Sequence, residues 1–166
     1  MQKIIQKREA EERDVAEVRE LMHAMLNSDT YTSMQAVGAL GAIGAPAVDS
    51  LVEALAAADS DARWVVAMAL ARVGKDAVEP LIEVVQTADE AVMNPAVWAL
   101  AEIGDPRAVD PLVAELRGGR SECCRALTAA ALLKLGDPVG IAEVKGVFNL
   151  LGKGFEGLAM EAYEGT

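Results

Sequence analysis

The 166-residue chain has little of what catalysis and metal binding usually draw on: one histidine, His23, and two cysteines, Cys123 and Cys124. Metal centres need several ligands converging from different elements, and a lone histidine followed by Ala24 is read as an ordinary helix-surface residue. The cysteines are adjacent, and bridging them would close a strained ring. No disulfide framework is expected, which fits a reducing, cytoplasmic setting. Aromatics are scarce too, two each of Phe, Tyr and Trp, although 52% of the residues are hydrophobic. The apolar surface must then come from Ala, Leu and Val, the composition of closely packed helices. Positive charge is in deficit: 15 Lys and Arg against 26 Asp and Glu leave −11, which repels phosphate backbones and anionic headgroups. Neither nucleic acid nor a membrane surface is an expected partner. No apolar run reaches the roughly 18 residues of a membrane span; the stretch 36–48 is broken by Gly38, Gly41, Gly44 and Pro46, and the charged N-terminus lacks a signal-peptide pattern.

What is present in quantity is self-similarity. The hexapeptides at 39–44 (ALGAIG), 69–74 (ALARVG), 99–104 (ALAEIG) and 131–136 (ALLKLG) share one form, with closing glycines 30, 30 and 32 residues apart. Each ends an apolar helical pattern at a residue free to take positive φ, so each is expected to close a helix. A second column runs in step: Val18, Leu21, Met22, Met25; Val48, Leu51, Val52, Leu55; Val78, Leu81, Ile82, Val85; Val109, Leu112, Val113, Leu116. The spacing i, i+3, i+4, i+7 is that of an amphipathic helix. From the first Val of each set to its closing Gly is 26, 26, 26 and 27 residues, so the unit is an outer helix A followed by an inner helix B. Extra residues are assigned to the turns at Gly118-Gly119 and Gly104-Asp-Pro-Arg. Asn27-Ser28-Asp29 and Asp59-Ser60-Asp61 are placed to cap B helices. Pro46, Pro106 and Pro138 suit the starts of A helices, and Pro80 and Pro111 fall within a first turn.

The expected architecture is all-α: a right-handed α-α superhelix of about four helix pairs plus a C-terminal half repeat, in a single domain spanning 1–166. Residues 1–14 form a charged N-terminal cap; 15–44, 45–74, 75–104 and 105–136 form the pairs; 137–166 form a cap helix and tail. In that last segment Val144, Val147, Phe148 and Leu151 mark a fifth A helix without a full B partner. Gly152-Lys-Gly-Phe-Glu-Gly157 reads as a hinge into a short tail, 158–163, that caps the last repeat or docks on a neighbouring molecule.

Helix pairs of this length, closed by Ala-Leu-x-x-(Ile/Val)-Gly and continued as in Gly104-Asp-Pro-Arg-Ala-Val-Asp-Pro-Leu112, resemble the short HEAT repeats of the phycobilisome (PBS) lyase type over about residues 15–151. The Asp-x-Arg that commonly opens a B helix in that family stands at Asp61-Ala-Arg63; the equivalent places hold Tyr31/Ser33, Ala91/Met93 and Cys123/Arg125. The resemblance implies an α solenoid. It also implies a range of functions, from bilin lyases and lyase-like scaffolds to hydroxylases and plain binding proteins. The hydroxylase branch holds a di-iron centre on repeated His-Glu dipeptides, which one histidine excludes.

In such a solenoid the B helices line the concave side. Counting back from each closing Gly, positions four and five are always Leu and Ala and belong to the core, whereas positions ten, six and two vary. That stripe reads Met34, Gly38, Ala42; Trp64, Met68, Arg72; Asn94, Trp98, Glu102; Ala126, Ala130, Lys134. Both tryptophans lie on it. Aromatics and Met are the side chains that carry interface energy, so the candidate partner-binding residues are Met34, Trp64, Met68, Arg72, Asn94, Trp98 and Glu102. In the alternative, Trp64 and Trp98 pack between adjacent B helices and fill gaps left by Gly38 and Ala130. The expected function is a non-enzymatic protein-interaction adaptor, without a cofactor, whose partner presents a basic or helical segment. The competing reading is a lyase-like or chaperone subunit that handles a tetrapyrrole or other cofactor on a carrier protein, with Cys123 or Cys124 as a thioether or metal ligand. A third is a structural subunit that associates, with itself or others, through its C-terminal edge at 139–166.

Overall fold

Every Ala-Leu-x-x-aliphatic-Gly hexapeptide ends a helix, and each closing glycine has positive φ: +76, +82, +73 and +70° at Gly44, Gly74, Gly104 and Gly136. The computed structural model describes residues 1–118 and 120–165, and its described residues are α-helical with short 3₁₀ turns and no strand. In chain order the helices are α1 (Gln2–Asn27), α2 (Thr30–Ile43), α3 (Val48–Ala57), α4 (Ser60–Val73), α5 (Val78–Thr87), α6 (Glu90–Ile103), α7 (Val109–Arg117), α8 (Glu122–Leu135), α9 (Pro138–Leu151) and α10 (Lys153–Glu164). The B helices are α2, α4, α6 and α8, each of 14 residues. Gly104 and Gly136 take the left-handed helical conformation and lead into extended Asp105 and Asp137. Gly44 and Gly74 instead have ψ of −131 and −133°, and the chain passes directly into 3₁₀ turns at 45–47 and 75–77. The third turn is one residue longer than these, and the added residue is Asp105. Its carboxylate accepts from the Arg107 backbone N–H and pairs with the Arg107 guanidinium at 2.9 Å. The other expected insertion involves Gly118, which caps α7, and Gly119, which lies outside the described residues.

Contacts group the chain into two units, residues 1–77 and residues 78 onward. In the first, α1 packs on α2, α2 on α4, and α3 on α4. The core is the predicted pair of columns: Val18 and Met25, Leu51 and Leu55, and Leu40 and Leu70 are buried. Leu21, Met22 and Val52 are half-buried. α1 runs unbroken from Gln2, so the charged segment is continuous with the first A helix; its residues 2–14 are exposed apart from half-buried Ala10, with a Lys7–Glu11 ion pair at 3.7 Å. α2 and α4 approach closely at Gly41, where a Cβ would stand 2.5 Å from Arg72 Cβ and 3.2 Å from its backbone carbon.

In the second unit α5 packs on α6, α6 and α7 on α8, and α10 on α8. Leu81, Val85, Leu100, Leu112, Leu116 and Leu132 are fully buried. Successive pairs here are also tied by polar contacts: Arg107 with Glu79 at 3.2 Å, Arg117 with Glu143, Lys134 with Glu102, and Ser121 with Glu90. The Ser121 backbone N–H and hydroxyl donate to the Glu90 carboxylate at 2.8 and 2.6 Å, and they hold that carboxyl below the ordinary range, the hydroxyl most. Ser121 also caps α8 by accepting from Cys124 N–H. Ser121→Ala is therefore expected to cost about 1 kcal/mol through the lost cap. A carboxyl with a depressed folded-state pKa stabilises above its unfolded value and ceases to as pH falls through the folded one. The gap between wild type and variant in urea unfolding should thus be widest near neutral pH and narrow below about pH 4.

The C-terminal segment departs from its sequence reading in two places. Val144 and Val147 are buried and Phe148 is half-buried, but Leu151 is exposed, because α9 ends there and the chain turns at Gly152 with φ +83°. The tail expected at 158–163 belongs to a 12-residue helix that begins at Lys153. α10 buries Phe155 and Ala159, with Phe155 edge-on to Phe148 at 6.0 Å and under the Arg125 guanidinium at 5.8 Å. No single helix among the described residues is long and apolar enough to cross a membrane.

Candidate functional site

Each B helix starts the same way. A side-chain oxygen accepts from the backbone N–H three residues on: Asp29 from Thr32 at 3.1 Å, Asp59 from Ala62 at 2.9 Å, Asp89 from Val92 at 3.2 Å, Ser121 from Cys124 at 3.2 Å. The caps expected at Asp29 and Asp59 are thus present, and the Thr32 N–H and hydroxyl hold the Asp29 carboxyl below its usual range. Eleven residues before the closing Gly, a side-chain donor ties B back to the last carbonyls of A: Ser33 to Met25 at 2.7 Å, Arg63 to Leu55 at 3.3 Å, Arg125 to Leu116 at 3.0 Å. This is why the Asp-x-Arg pattern tolerates Ser33. Any donor that reaches the carbonyl satisfies one of the groups a helix end leaves open. In the third pair the place is taken by Met93, fully buried, with its sulfur 3.9 Å from Cys124 Sγ.

These ties help fix the rotation of α2, α4 and α8 about their axes and so what their faces present. In the first unit, α2 offers Met34, 36% exposed, with Gly38 and Ala42 exposed beyond it. Nothing lies within 4 Å of where a Cβ of Gly38 would be. α4 offers Trp64, 41% exposed, half-buried Met68 and exposed Arg72. In the second unit Asn94 and Trp98 on α6 are half-buried, and Glu102 is exposed but paired with Lys134 of α8. Neither indole is without a partner in the fold. The Asn94 Oδ1 is buried and has no hydrogen-bond partner among the described residues. On α8 the stripe closes: Ala126 and Ala130 are buried on the helix against which α10 packs. At these two positions the stripe is covered and offers no free face.

A hollow that the sequence reading missed lies at the A–B loops of the first unit. It measures about 340 Å³, with Met25, Leu26, Met34 and Val65 as apolar lining and Asp59 and Asp61 as acidic lining. Asp59 thus lines the hollow as well as capping α4. The Asp61 carboxylate has no hydrogen-bond or ion-pair partner among the described residues.

The residues considered for chemistry are scattered. His23 is exposed on α1. Cys123 is exposed and Cys124 buried at the start of α8. Burial pushes the Cys124 thiol up to about 11, so it remains protonated at neutral pH and is a poor nucleophile or metal ligand. Among the described residues no three His, Cys, Asp or Glu side chains converge as a metal site would require. Gly152–Gly157, expected as a hinge, is the turn into α10 and the helix's first residues.

Comparison with known families agrees with this geometry. A family model described as HEAT repeats matches residues 48–133, and one described as the PBS lyase HEAT-like repeat matches residues 34–57. No curated protein matches the chain significantly.

Proposed function

The chain belongs to the HEAT-repeat family, and from that premise we propose that it is a non-enzymatic scaffold that binds another protein on the free face of its B helices. The observation that carries this reading is the partial exposure of large apolar side chains on the B-helix face: Trp64 and Met34 in the first unit, 41% and 36% exposed, with Gly38 exposed one turn on from Met34. Burying such side chains under a partner is favourable, and on a preformed helical face it costs little ordering. Arg72 supplies a charge to orient the partner, and Trp98 and Asn94 offer a second, flatter contact in the other unit. The compartment that suits two free cysteines is a reducing one, the cytoplasm.

The test is affinity capture from the source organism's lysate with the wild-type chain, Trp64→Ala and Trp98→Ala, each checked for folding by circular dichroism. A partner held by wild type should lose at least about tenfold in affinity on Trp64→Ala, as interface tryptophans typically do. Undiminished capture by both variants would overturn the reading.

The match to the PBS lyase HEAT-like repeat at residues 34–57 favours one second reading, a subunit that handles a tetrapyrrole on a carrier protein. It predicts that the chain takes up a bilin in the presence of its captured partner, with an absorbance shift that Trp64→Ala abolishes. A partner that carries no chromophore removes it.

A further inference from the structure

The hollow at the A–B loops of the first unit has a counterpart in the second, and the two differ in one informative way. Sixteen residues before the closing glycines stand Ser28, Ala58, Ala88 and Arg120. Between the third and fourth pairs the gap is filled by the chain itself. Arg120 Nη1 donates to the Ala88 carbonyl at 3.0 Å, and its Nε pairs with Glu115 at 3.0 Å, with both side chains largely covered. In the second pair Ala58 stands where Arg120 does in the fourth, and Ser28, the counterpart of Ala88, lines an open hollow. A guanidinium that the fold accommodates in one repeat interval is missing from the other.

The acidic groups that would receive it are in place. Asp59 uses one oxygen to cap α4, and Asp61 is unpartnered among the described residues. Arg63, the nearest cation along the helix, donates its Nε to the Leu55 carbonyl. The rest of the lining mixes apolar Met25, Leu26, Met34, Ala62 and Val65 with the hydroxyl residues Ser28, Thr30 and Ser33, and its two methionines adapt their shape to what they meet. Such a lining suits neither a hydrated metal ion, which seeks six or more oxygens, nor a purely polar ligand. At about 340 Å³ the hollow is at the small end of ligand clefts, roughly 300–1,000 Å³, which is room for one or two side chains.

We propose that this hollow is the specificity pocket of the scaffold and takes an arginine of the partner, with an apolar residue next to it in the peptide. The guanidinium lies against Asp59 and Asp61 and donates to the Ser28 carbonyl, as Arg120 does to Ala88, while the apolar neighbour covers Met25, Leu26 and Met34. Arginine is favoured over lysine because its planar fork serves two carboxylates and a carbonyl together and is less strongly hydrated. The inference rests on the reading of the chain as a protein-binding scaffold and names the chemistry of its partner.

The probe is the blocked pentapeptide acetyl-Gly-Leu-Arg-Leu-Gly-amide, titrated into the ¹⁵N-labelled full chain and followed by amide shifts, with a second peptide in which neutral citrulline replaces arginine. The expected result is saturable shifts at residues 25–34 and 58–65, with affinity at least about tenfold lower for the citrulline peptide and for Asp61→Asn. Ala58→Arg, which supplies the missing side chain from within, should abolish binding while the chain stays folded. Equal affinity for the two peptides, shifts elsewhere, no saturable binding, or undiminished binding to both Ala58→Arg and Asp61→Asn would overturn the proposal. Failure here with Trp64-dependent capture of a partner intact would remove the arginine pocket and leave the scaffold reading standing. Loss of Trp64 dependence with peptide binding retained would do the reverse.

Discussion

Truncating Leu70 or Leu100 to Ala is expected to lower the free energy of unfolding by about 2–5 kcal/mol, the range for deleting a buried leucine and leaving a cavity. Both side chains are fully buried, one in each unit, and each stands four residues before a closing glycine. Full burial in a close-packed interior leaves the vacated volume little freedom to collapse. Leu150 is the control: it is as apolar but 79% exposed, and Leu150→Ala should stay within about 0.5 kcal/mol of wild type. Urea unfolding of the three variants measures all of this. A nearly neutral Leu70→Ala or Leu100→Ala would mean that the repeated Leu column is not the core.

Two glycines three residues apart on α2 should respond to alanine with opposite signs. At Gly41 the new Cβ would meet Arg72 Cβ at 2.5 Å and its backbone at 3.2 Å, and neither is the far end of a flexible side chain. α2 and α4 must then move apart, at a cost of about 1–3 kcal/mol before any helix-propensity gain is credited. At Gly38 nothing lies within 4 Å, the residue is helical, and Gly38→Ala should stabilise by up to about 1 kcal/mol. Thermal unfolding of the pair is the check. Equal effects of the same sign would contradict the close approach of the two helices at Gly41.

The helix register was legible because the repeat printed it four times. A constant Ala-Leu before a constant Gly locates the end of each B helix, and the Val-Leu-aliphatic column locates each A helix. The caps at Asp29 and Asp59 were legible for the same reason. What repetition could not reveal is what happens once only. α10 carries glycines at 154 and 157 and lacks a closing hexapeptide, so its helical signal is weak in sequence, yet it buries Phe155 and Ala159 and packs on α8. Ala126 and Ala130 of α8 are buried, whereas Gly38, also small and in the same column as Ala130, is exposed, so size alone does not tell a covered place from an open one. The acidic hollow escaped notice because Asp59 and Asp61 have a sufficient explanation as helix-start residues. Only the substitution of Ala58 for the Arg120 type of residue, visible when the repeats are aligned on their glycines, points to the space beside them.

The site residues divide along physical lines. Trp64 and Met34 keep a large exposed area, whereas Glu102 is held by Lys134 and Trp98 is half-covered. On the proposed scaffold reading the first unit would offer the stronger contact surface, and the acidic excess of the chain would favour a basic partner. The most direct measurement is photo-cross-linking with a benzophenone side chain placed at Met34 or Ala42 on the B-helix face, or at Glu53 or Glu83 on the exposed side of A helices, in the presence of the partner that the wild-type chain captures. The account predicts adducts from Met34 and Ala42 and none from Glu53 or Glu83. Adducts from the A-helix positions alone would contradict it and place the working surface on the opposite side of the helix pairs.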